Sequence, residues 1–292
     1  MGSDGFTEFS RHRPRLFALA YRMFGAASDA EDVVQETYLR WAGADRNEIV
    51  NPEAWLTTVT VNLCRSELVS ARARRETYVG PWLPEPVPTG ELGPLDTVEA
   101  RESVSLALLT AMERLNPVER AVFVLREAFG YPHAEIAAML DLTEANSQQI
   151  LHRASTRVRA PKSRFVVPAE EARTMIERFL LAAATGDVSA LRALLTDAVV
   201  STADGGGKVN AARRPVVGAE PVARYLIGLT RFLTPASTFA IAAVNGEAAL
   251  VVRADGTKVS SVMFFELTEA ALVTAVRIVV NPDKLRSMPV GD

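Results

Sequence analysis

The sequence predicts an all-α first half followed by a separate α+β domain. Two observations carry this. From Phe6 to Arg159 the apolar residues recur at helical spacing, ending in two short helices across a tight turn. Beyond Arg164 an amphipathic helix (Ile176, Phe179, Leu180 and Ala183 on one face, Gly186 at its end) and a second short helix, VSALRALL, give way to β-rich runs. Those runs, FAIAAV, ALVVR, KVSSVMFFEL and LVTAVRIVV, are punctuated by the hairpin pairs Asn245-Gly246 and Asp255-Gly256. Helices followed by an antiparallel sheet must bury a core of their own, so this is a domain rather than a tail.

Length and charge set the limits. At 292 residues the chain can bury two or three cores, and its net charge of -3 is not that of a protein that coats nucleic acid. Any nucleic-acid contact must come from local clusters. Arg65, Arg72, Arg74 and Arg75 form one, and His152, Arg153, Arg157, Arg159, Lys162 and Arg164 form another. No apolar run is long enough to span a membrane, and the N-terminus lacks the charged-then-apolar order of a signal peptide, so a cytoplasmic protein without membrane attachment is expected. Cys64 is the single cysteine, which excludes an intramolecular disulfide and any multi-cysteine metal site; no metal and no cofactor is expected.

The elements follow in order. A first helix covers Phe6 to Tyr21. Ser28 with Glu31 reads as a capping box opening the helix DAEDVVQETYLRWAG. That helix turns Val33, Val34, Thr37, Tyr38 and Trp41 inward and leaves Asp29, Asp32, Gln35, Glu36 and Arg40 outward, as soluble surface or as a docking face. Asn51-Pro52-Glu53 opens a third helix, apolar in its first half and basic in its second. A basic C-terminal end suits the helix dipole, and beside aromatic and amide groups it also suits unpaired bases. The stretch TYVGPWLPEPVPTGELGPL from Thr77 to Leu95 is too rich in proline for a helix and reads as extended chain. Trp82 and Leu83 are larger apolar groups than a free spacer needs, so Trp82 is expected to dock on a neighbouring domain.

In the final helical pair Pro132 sits near the start of one helix and Thr143 caps the next. Ile150, Leu151, Ala154 and Val158 form its apolar stripe. The opposite face carries Ser147, Gln148, Gln149, His152, Arg153, Arg157 and Arg159. Glutamine and serine can read base edges and arginine serves bases or phosphates, so the pair reads as a helix-turn-helix, with a plain amphipathic hairpin as the alternative.

The order of the acidic DAEDVVQETYLRW helix, the WLTTVTVNL…SARARRE helix, a linker and a helix-turn-helix resembles a bacterial sigma factor of the small extracytoplasmic-function group, which keeps only the second and fourth sigma domains. The resemblance implies an alternative sigma factor that directs core RNA polymerase to promoter DNA and has no catalytic residues of its own. It implies docking on core polymerase through Asp32, Gln35 and Glu36. The −10 element would be read by Trp55, Asn62, Arg72, Arg74 and Arg75, and the −35 element by Ser147, Gln148, His152, Arg153 and Arg157. Domain boundaries are expected at 5–76, 77–100, 101–164 and 166–288. The chain departs from the family in CRSELVS, where Ser66 and Val69 stand in place of the usual Asp and Arg and Arg65 takes a typically apolar position. That departure bears on −10 base preference.

The C-terminal half resembles the SnoaL-like, NTF2-like cone, a fold that also hosts enzymes. An enzyme needs an acid or base aimed at the cavity, and the candidates are Asp204, Glu266, Lys208 and Tyr225. None has a paired-carboxylate or His-Asp spacing, and His12, His133 and His152 all lie in the first half. Asp204-Gly205-Gly206-Gly207-Lys208 can form a nest for an anion or a carbonyl, or be a plain loop. WLPEP, DGGGK and Asn281-Pro282-Asp283-Lys284-Leu285 together resemble the SigJ-type group, sigma factors with a SnoaL-like extension. That implies regulation within one polypeptide, without a separate anti-sigma factor. Trp82, Asp204, Gly205, Gly206, Gly207, Lys208, Asn281, Asp283 and Lys284 would be interdomain contacts, and the cone has room for a small-molecule ligand. The alternatives are a ligand-sensing or catalytic cone with the sigma part as its output, and a helix-turn-helix repressor that binds duplex DNA without polymerase.

Overall fold

A computed structural model describes residues 2–92, 101–158 and 168–288. These form two compact units. One holds the described residues up to Thr77 and from Gly90 to 158; the other holds Tyr78–Thr89 and 168–288. The linker's proline-rich segment therefore belongs to the second unit.

The first unit is all-helical. Helix α1 (Gly2–Phe24) runs through Pro14 and buries Leu16, Leu19, Tyr21 and Phe24. Helix α2 (Ala27–Gly43) buries Val33, Val34, Thr37 and Trp41, the apolar stripe read from the sequence, while Tyr38 is half-buried against Phe6 and Phe9. The expected capping box is not formed. The helix begins before Ser28 and its N-cap is Ala26, so Ser28 stands inside the first turn rather than at the cap. Helix α3 (Pro52–Glu76) begins as expected, with Asn51 Oδ1 accepting from the Ala54 N–H at 3.1 Å.

Helix α4 (Leu106–Met112) is capped by Ser105, and α5 (Pro117–Glu127) opens on a reciprocal capping box between Asn116 and Glu119. Helices α6 (His133–Leu140) and α7 (Glu144–Val158) form the tight helical pair. The turn between them is made by Asp141 at φ 56°, and Thr143 Oγ1 accepts from the Asn146 N–H at 3.2 Å.

The second unit packs helices on a sheet. Helix α8 (Ala169–Thr185) ends at Gly186, φ 66°, and α9 (Val188–Ala193) is capped by Asp187. The strands are β1 (Leu195–Asp204), β2 (Val216–Val217), β3 (Thr238–Val244), β4 (Glu247–Arg253), β5 (Val259–Leu267) and β6 (Val273–Val279), with α10 (Ala219–Leu229) after β2. Their order is β2-β1-β6-β5-β4-β3. The α+β class is as expected, but the sheet is mixed rather than antiparallel, because β1 lies parallel to β6. Sequence periodicity did not reveal β1. Its ladder shifts register between Leu195 and Val200, and Asp197 and Ala198 are exposed there, so the alternation of a strand is broken. The Asn245-Gly246 turn joins β3 to β4 with both residues at positive φ, 54° and 73°, the twist that suits a two-residue hairpin. Met175, Ile176 and Phe179 of α8 and Val222 and Leu226 of α10 form a core with Val199, Leu250 and Ile278 of the sheet.

Candidate nucleic-acid interface and linker clasp

In the first unit the basic end of α3 is bound to the start of the second helical region. Arg72 donates through Nη2 to the carbonyl oxygens of Glu113, at 3.2 Å, and Leu115. Arg75 donates to the Glu113 carboxylate and, at 2.5 Å, to the Phe24 carbonyl. The same carboxylate accepts from Arg120 at 2.6 Å, and Arg120 also donates to the carbonyls of Met23 and Met112. Arg120 is wholly buried, and desolvation pulls its pKa below the usual arginine value while Glu113 opposes that fall. Arg74 points elsewhere, to Asp29 at 3.2 Å.

Asn62 is similarly engaged. Its amide donates to the carbonyls of Thr58 (3.0 Å) and Met139 (3.1 Å) and its oxygen accepts from Arg65 at 3.0 Å. Trp55 leans on Trp41 with ring centroids 5.7 Å apart. A cleft of about 590 Å³ brings Asn62, Arg65 and Val69 of α3 beside Asn116, Glu119 and Arg153. One side chain expected to read each promoter element, Asn62 for −10 and Arg153 for −35, thus lines the same concavity, and the others lie outside it.

On α7, Gln148, His152 and Arg153 face solvent. Ser147 does not: it is buried, with its hydroxyl 2.9 Å from His133 Nδ1. A side chain so placed orients the recognition helix against α6 rather than meeting a base. Arg157 reaches both Glu119 oxygens at 2.6 Å through one nitrogen. Arg159, Lys162 and Arg164 lie outside the described residues. On α2, Asp32 and Gln35 are exposed and Glu36 accepts from Arg40 at 3.1 Å, so the acidic face is open.

The second unit is organised around one carboxylate. Asp204, at the end of β1, has no exposed surface. Its Oδ1 accepts from the Tyr78 hydroxyl (2.6 Å) and the Gly206 N–H (3.1 Å), and its Oδ2 accepts from the Leu83 N–H (2.8 Å) and Lys284 Nζ (2.8 Å). Four donors fill the carboxylate, two of them from the linker. Lys284 in turn donates to the Leu83 carbonyl, and its ammonium lies 4.1 Å from the Trp82 ring centre and 4.9 Å from that of Tyr78. Asn281 closes the ring by donating to the Tyr78 hydroxyl at 2.8 Å. Burial, and then the hydrogen bond to Asp204, push the Tyr78 pKa above the ordinary tyrosine value.

The glycine run is explained by what passes over it. A Cβ on Gly206 would fall 2.3 Å from Asn281 Nδ2, and one on Gly207 would fall 3.0 Å from Val79 Cβ. Both glycines have positive φ, 58° and 71°. The loop is a close-fitting seat for residues 78 and 79, and the anion its amide meets at Gly206 is the chain's own Asp204. Lys208 pairs with Asp283, which also accepts from Arg286 at 2.6 Å; all three are well exposed. Farther along, Val87 and Asn245 exchange N–H bonds of 2.9 and 3.0 Å, and Pro88 bridges to Val244. The linker thus adds itself to the edge of the sheet at the hairpin turn.

Beside this seat is a cavity of about 910 Å³. Phe179, Leu180, Tyr225, Leu250, Met263 and Ile278 supply much of its wall, and Val79, Gly80 and Pro81 of the linker complete it. Of the candidate acids and bases, Asp204 is saturated with donors, Glu266 is paired with Arg277 and Lys208 with Asp283. Tyr225 alone lines the cavity without an ionic partner, and burial raises its pKa, so it stays a neutral phenol.

Sequence reasoning missed Tyr78, Asn245, Glu113 and Glu119. Tyr78 stands four residues before Trp82 and gave the one available signal, an aromatic next to a string already singled out. Asn245 was legible as a turn residue but not as the linker's partner. The two glutamates carried no mark that separates them from solvated helix ends.

Helices of this arrangement, with a helix-turn-helix at the end of the first unit, define a sigma-70-type transcription factor. Residues 9–74 match the family model Sigma-70 region 2, and residues 105–158 match Sigma-70, region 4. The chain is 38% identical over 296 residues to the ECF RNA polymerase sigma factor SigJ of Mycobacterium tuberculosis, covering 98% of this chain and 95% of that one. It is 31% identical over 277 residues to the probable ECF RNA polymerase sigma factor SigI of the same organism, covering 94% and 92%. The crystal structure of M. tuberculosis SigJ superposes with a TM-score of 0.75 at 35% identity, over 98% of this chain and 99% of that chain. The chain belongs to the extracytoplasmic-function RNA polymerase sigma factors, a non-enzymatic family that directs RNA polymerase to promoters.

Proposed function

We propose that this sigma factor is regulated in cis, its C-terminal α+β unit holding the linker so that the second and fourth sigma regions stay packed together. The observation that carries the reading is the Asp204 carboxylate, with Tyr78, Leu83 and Lys284 all bound to it in a buried ring. Its counterpart in the first unit is the engagement of Arg72 and Arg75 with Glu113 and Leu115, where they satisfy protein carbonyls and a carboxylate instead of DNA. The clasped chain is the form closed to promoter DNA. Opening frees Arg72, Arg75 and Asn62 to join Arg74 and Trp55 on the −10 element, and separates that face from Gln148, His152, Arg153 and Arg157, which take the −35 element. Asp32, Gln35 and Glu36 dock on core polymerase throughout. Inhibition is built into the chain, so no separate anti-sigma factor is required, and the factor works in the cytoplasm.

The test is run-off transcription with core polymerase and a candidate promoter, comparing the full chain with Tyr78→Phe and Lys284→Met. The reading expects more transcript from both variants, with Lys284→Met the larger. Unchanged output from a variant whose linker has demonstrably loosened sinks it, and a fall in output would show that the clasp holds the productive geometry instead.

A further inference from the structure

The cavity of the C-terminal unit has features that the sigma role does not use. Its wall is largely apolar, and its volume of about 910 Å³ falls in the range of a site for one small molecule. Ser261, on β5, is 7% exposed and lines it, and its hydroxyl has no hydrogen-bond partner. A buried hydroxyl without a partner is costly, and this one sits in the cavity wall with almost no surface of its own, so a ligand atom meets it only after a small shift of that wall. At the rim are exposed apolar side chains, Phe232, Leu233 and Phe239.

Charge narrows the ligand further. Among the described residues no Asp or Glu lines the cavity, and its two cations are Lys208 and Arg213. Lys208 is paired with Asp283. Arg213 is exposed and makes no ion pair among the described residues. An apolar chamber without an acid in its wall and with a guanidinium at its edge favours an amphiphile with one anionic end and disfavours a cationic one.

We propose that this cavity binds a single-chain apolar molecule ending in a carboxylate, and that its occupancy tightens the linker clasp. The second half rests on the cis-regulatory reading given above; the first half does not. Val79, Gly80 and Pro81 are part of the cavity wall only while Tyr78 and Leu83 are held by Asp204. A ligand touching that wall therefore binds the clasped form better than the unclasped one. By linkage the ligand and the clasp strengthen each other by the same factor. The ligand acts as a co-inhibitor.

The experiment titrates the full chain with cis-parinaric acid, a fluorescent long-chain carboxylic acid, and then with competitors. Expected are saturable one-to-one binding, displacement by dodecanoate but not by dodecylamine, and at least tenfold weaker binding in Arg213→Glu. Ala183→Trp, which fills the chamber from α8, should abolish binding while circular dichroism stays that of the wild type. Equal binding by Ala183→Trp, or displacement by the amine as well as by the acid, overturns the site. A water-soluble short-chain phosphatidylglycerol, kept below its micelle concentration, separates a membrane lipid from a free acid: it should leave the probe bound, and displacement by it overturns a free single-chain carboxylate ligand. The coupling has its own readout. Tyr78→Phe should bind parinarate several-fold more weakly, and dodecanoate should lower run-off transcription by the wild type but not by Ala183→Trp. Binding with unaltered affinity in Tyr78→Phe overturns the coupling, and because that titration contains no polymerase, its failure is separable from failure of the transcriptional reading.

Discussion

Glu113 in the first unit and Asp204 in the second each anchor a charge network, and the two are built to different ends. Around Glu113 two arginines, Arg75 and Arg120, meet one carboxylate, and a third, Arg72, is held by the carbonyl oxygens of Glu113 and Leu115. Such cations lose little by exchanging a carbonyl for a phosphate, because the fork geometry of arginine suits either. Around Asp204 one ammonium meets one carboxylate, every acceptor position is filled, and two aromatic rings cover the lysine. That network is neutral and closed, and DNA offers nothing to replace any of its members. On the proposed reading, the first is a contact that promoter DNA competes away and the second is a lock that something else must loosen.

Breaking the lock should have the largest effect. Lys284→Met leaves Asp204 buried without its cation, at a cost of about 3–5 kcal/mol to linker docking. Urea titration and hydrogen exchange at the Leu83 amide should both register it. Next comes Glu113→Gln, which takes a charge-assisted acceptor from Arg75 and Arg120 and weakens that contact by about 2 kcal/mol. Here the distinction is sharpest: promoter DNA affinity should rise, while the linker amides keep their protection. Gly206→Ala forces a non-glycine residue into the left-handed region, for roughly 1–2 kcal/mol, and drives a methyl into Asn281; melting of the second unit reads the loss. Lys208→Ala should leave melting of the second unit nearly unchanged, since its partner Asp283 is well exposed and the pair is screened by solvent. A double alanine variant at Asp204 and Lys208 should therefore behave as Asp204→Ala alone.

The smallest effect is a pH dependence. Docked Tyr78 has a raised pKa, so above the ordinary tyrosine value, about 10, the released linker binds fewer protons than the docked one. Docking should weaken as pH rises through that value. The difference between ultraviolet titrations of wild type and Tyr78→Phe isolates the phenol and should show it ionising late.

Some of this was legible in the sequence because it rests on local chemistry. The α3 cap at Asn51, the Asn245-Gly246 turn and the helical stripes need only neighbours in the chain. The motifs WLPEP, DGGGK and NPDKL stood out as strings, and the need for glycine at 206 and 207 follows from positive φ plus a passing segment. Other features were not legible because they depend on distant partners. Strand β1 lost its alternation at an irregular stretch, and its parallel pairing with β6 spans most of the second unit. Ser147 reads as a base-contacting residue until α6 is packed beside it. Ser28 looked like a cap because the helix start cannot be fixed to within two residues from pattern alone. Nothing local distinguishes Glu113, which gathers its arginines from two other helices.

If the Asp204 clasp inhibits the factor, the linker leaves it when a promoter is engaged. Hydrogen exchange of the full chain, alone and in an initiating complex with core polymerase and promoter, measures this at the amides of Leu83 and Val87. Both are protected in the free chain by Asp204 and Asn245. Both amides are expected to lose protection in the initiating complex. Protection retained there, with transcript being made, would contradict inhibition by the clasp.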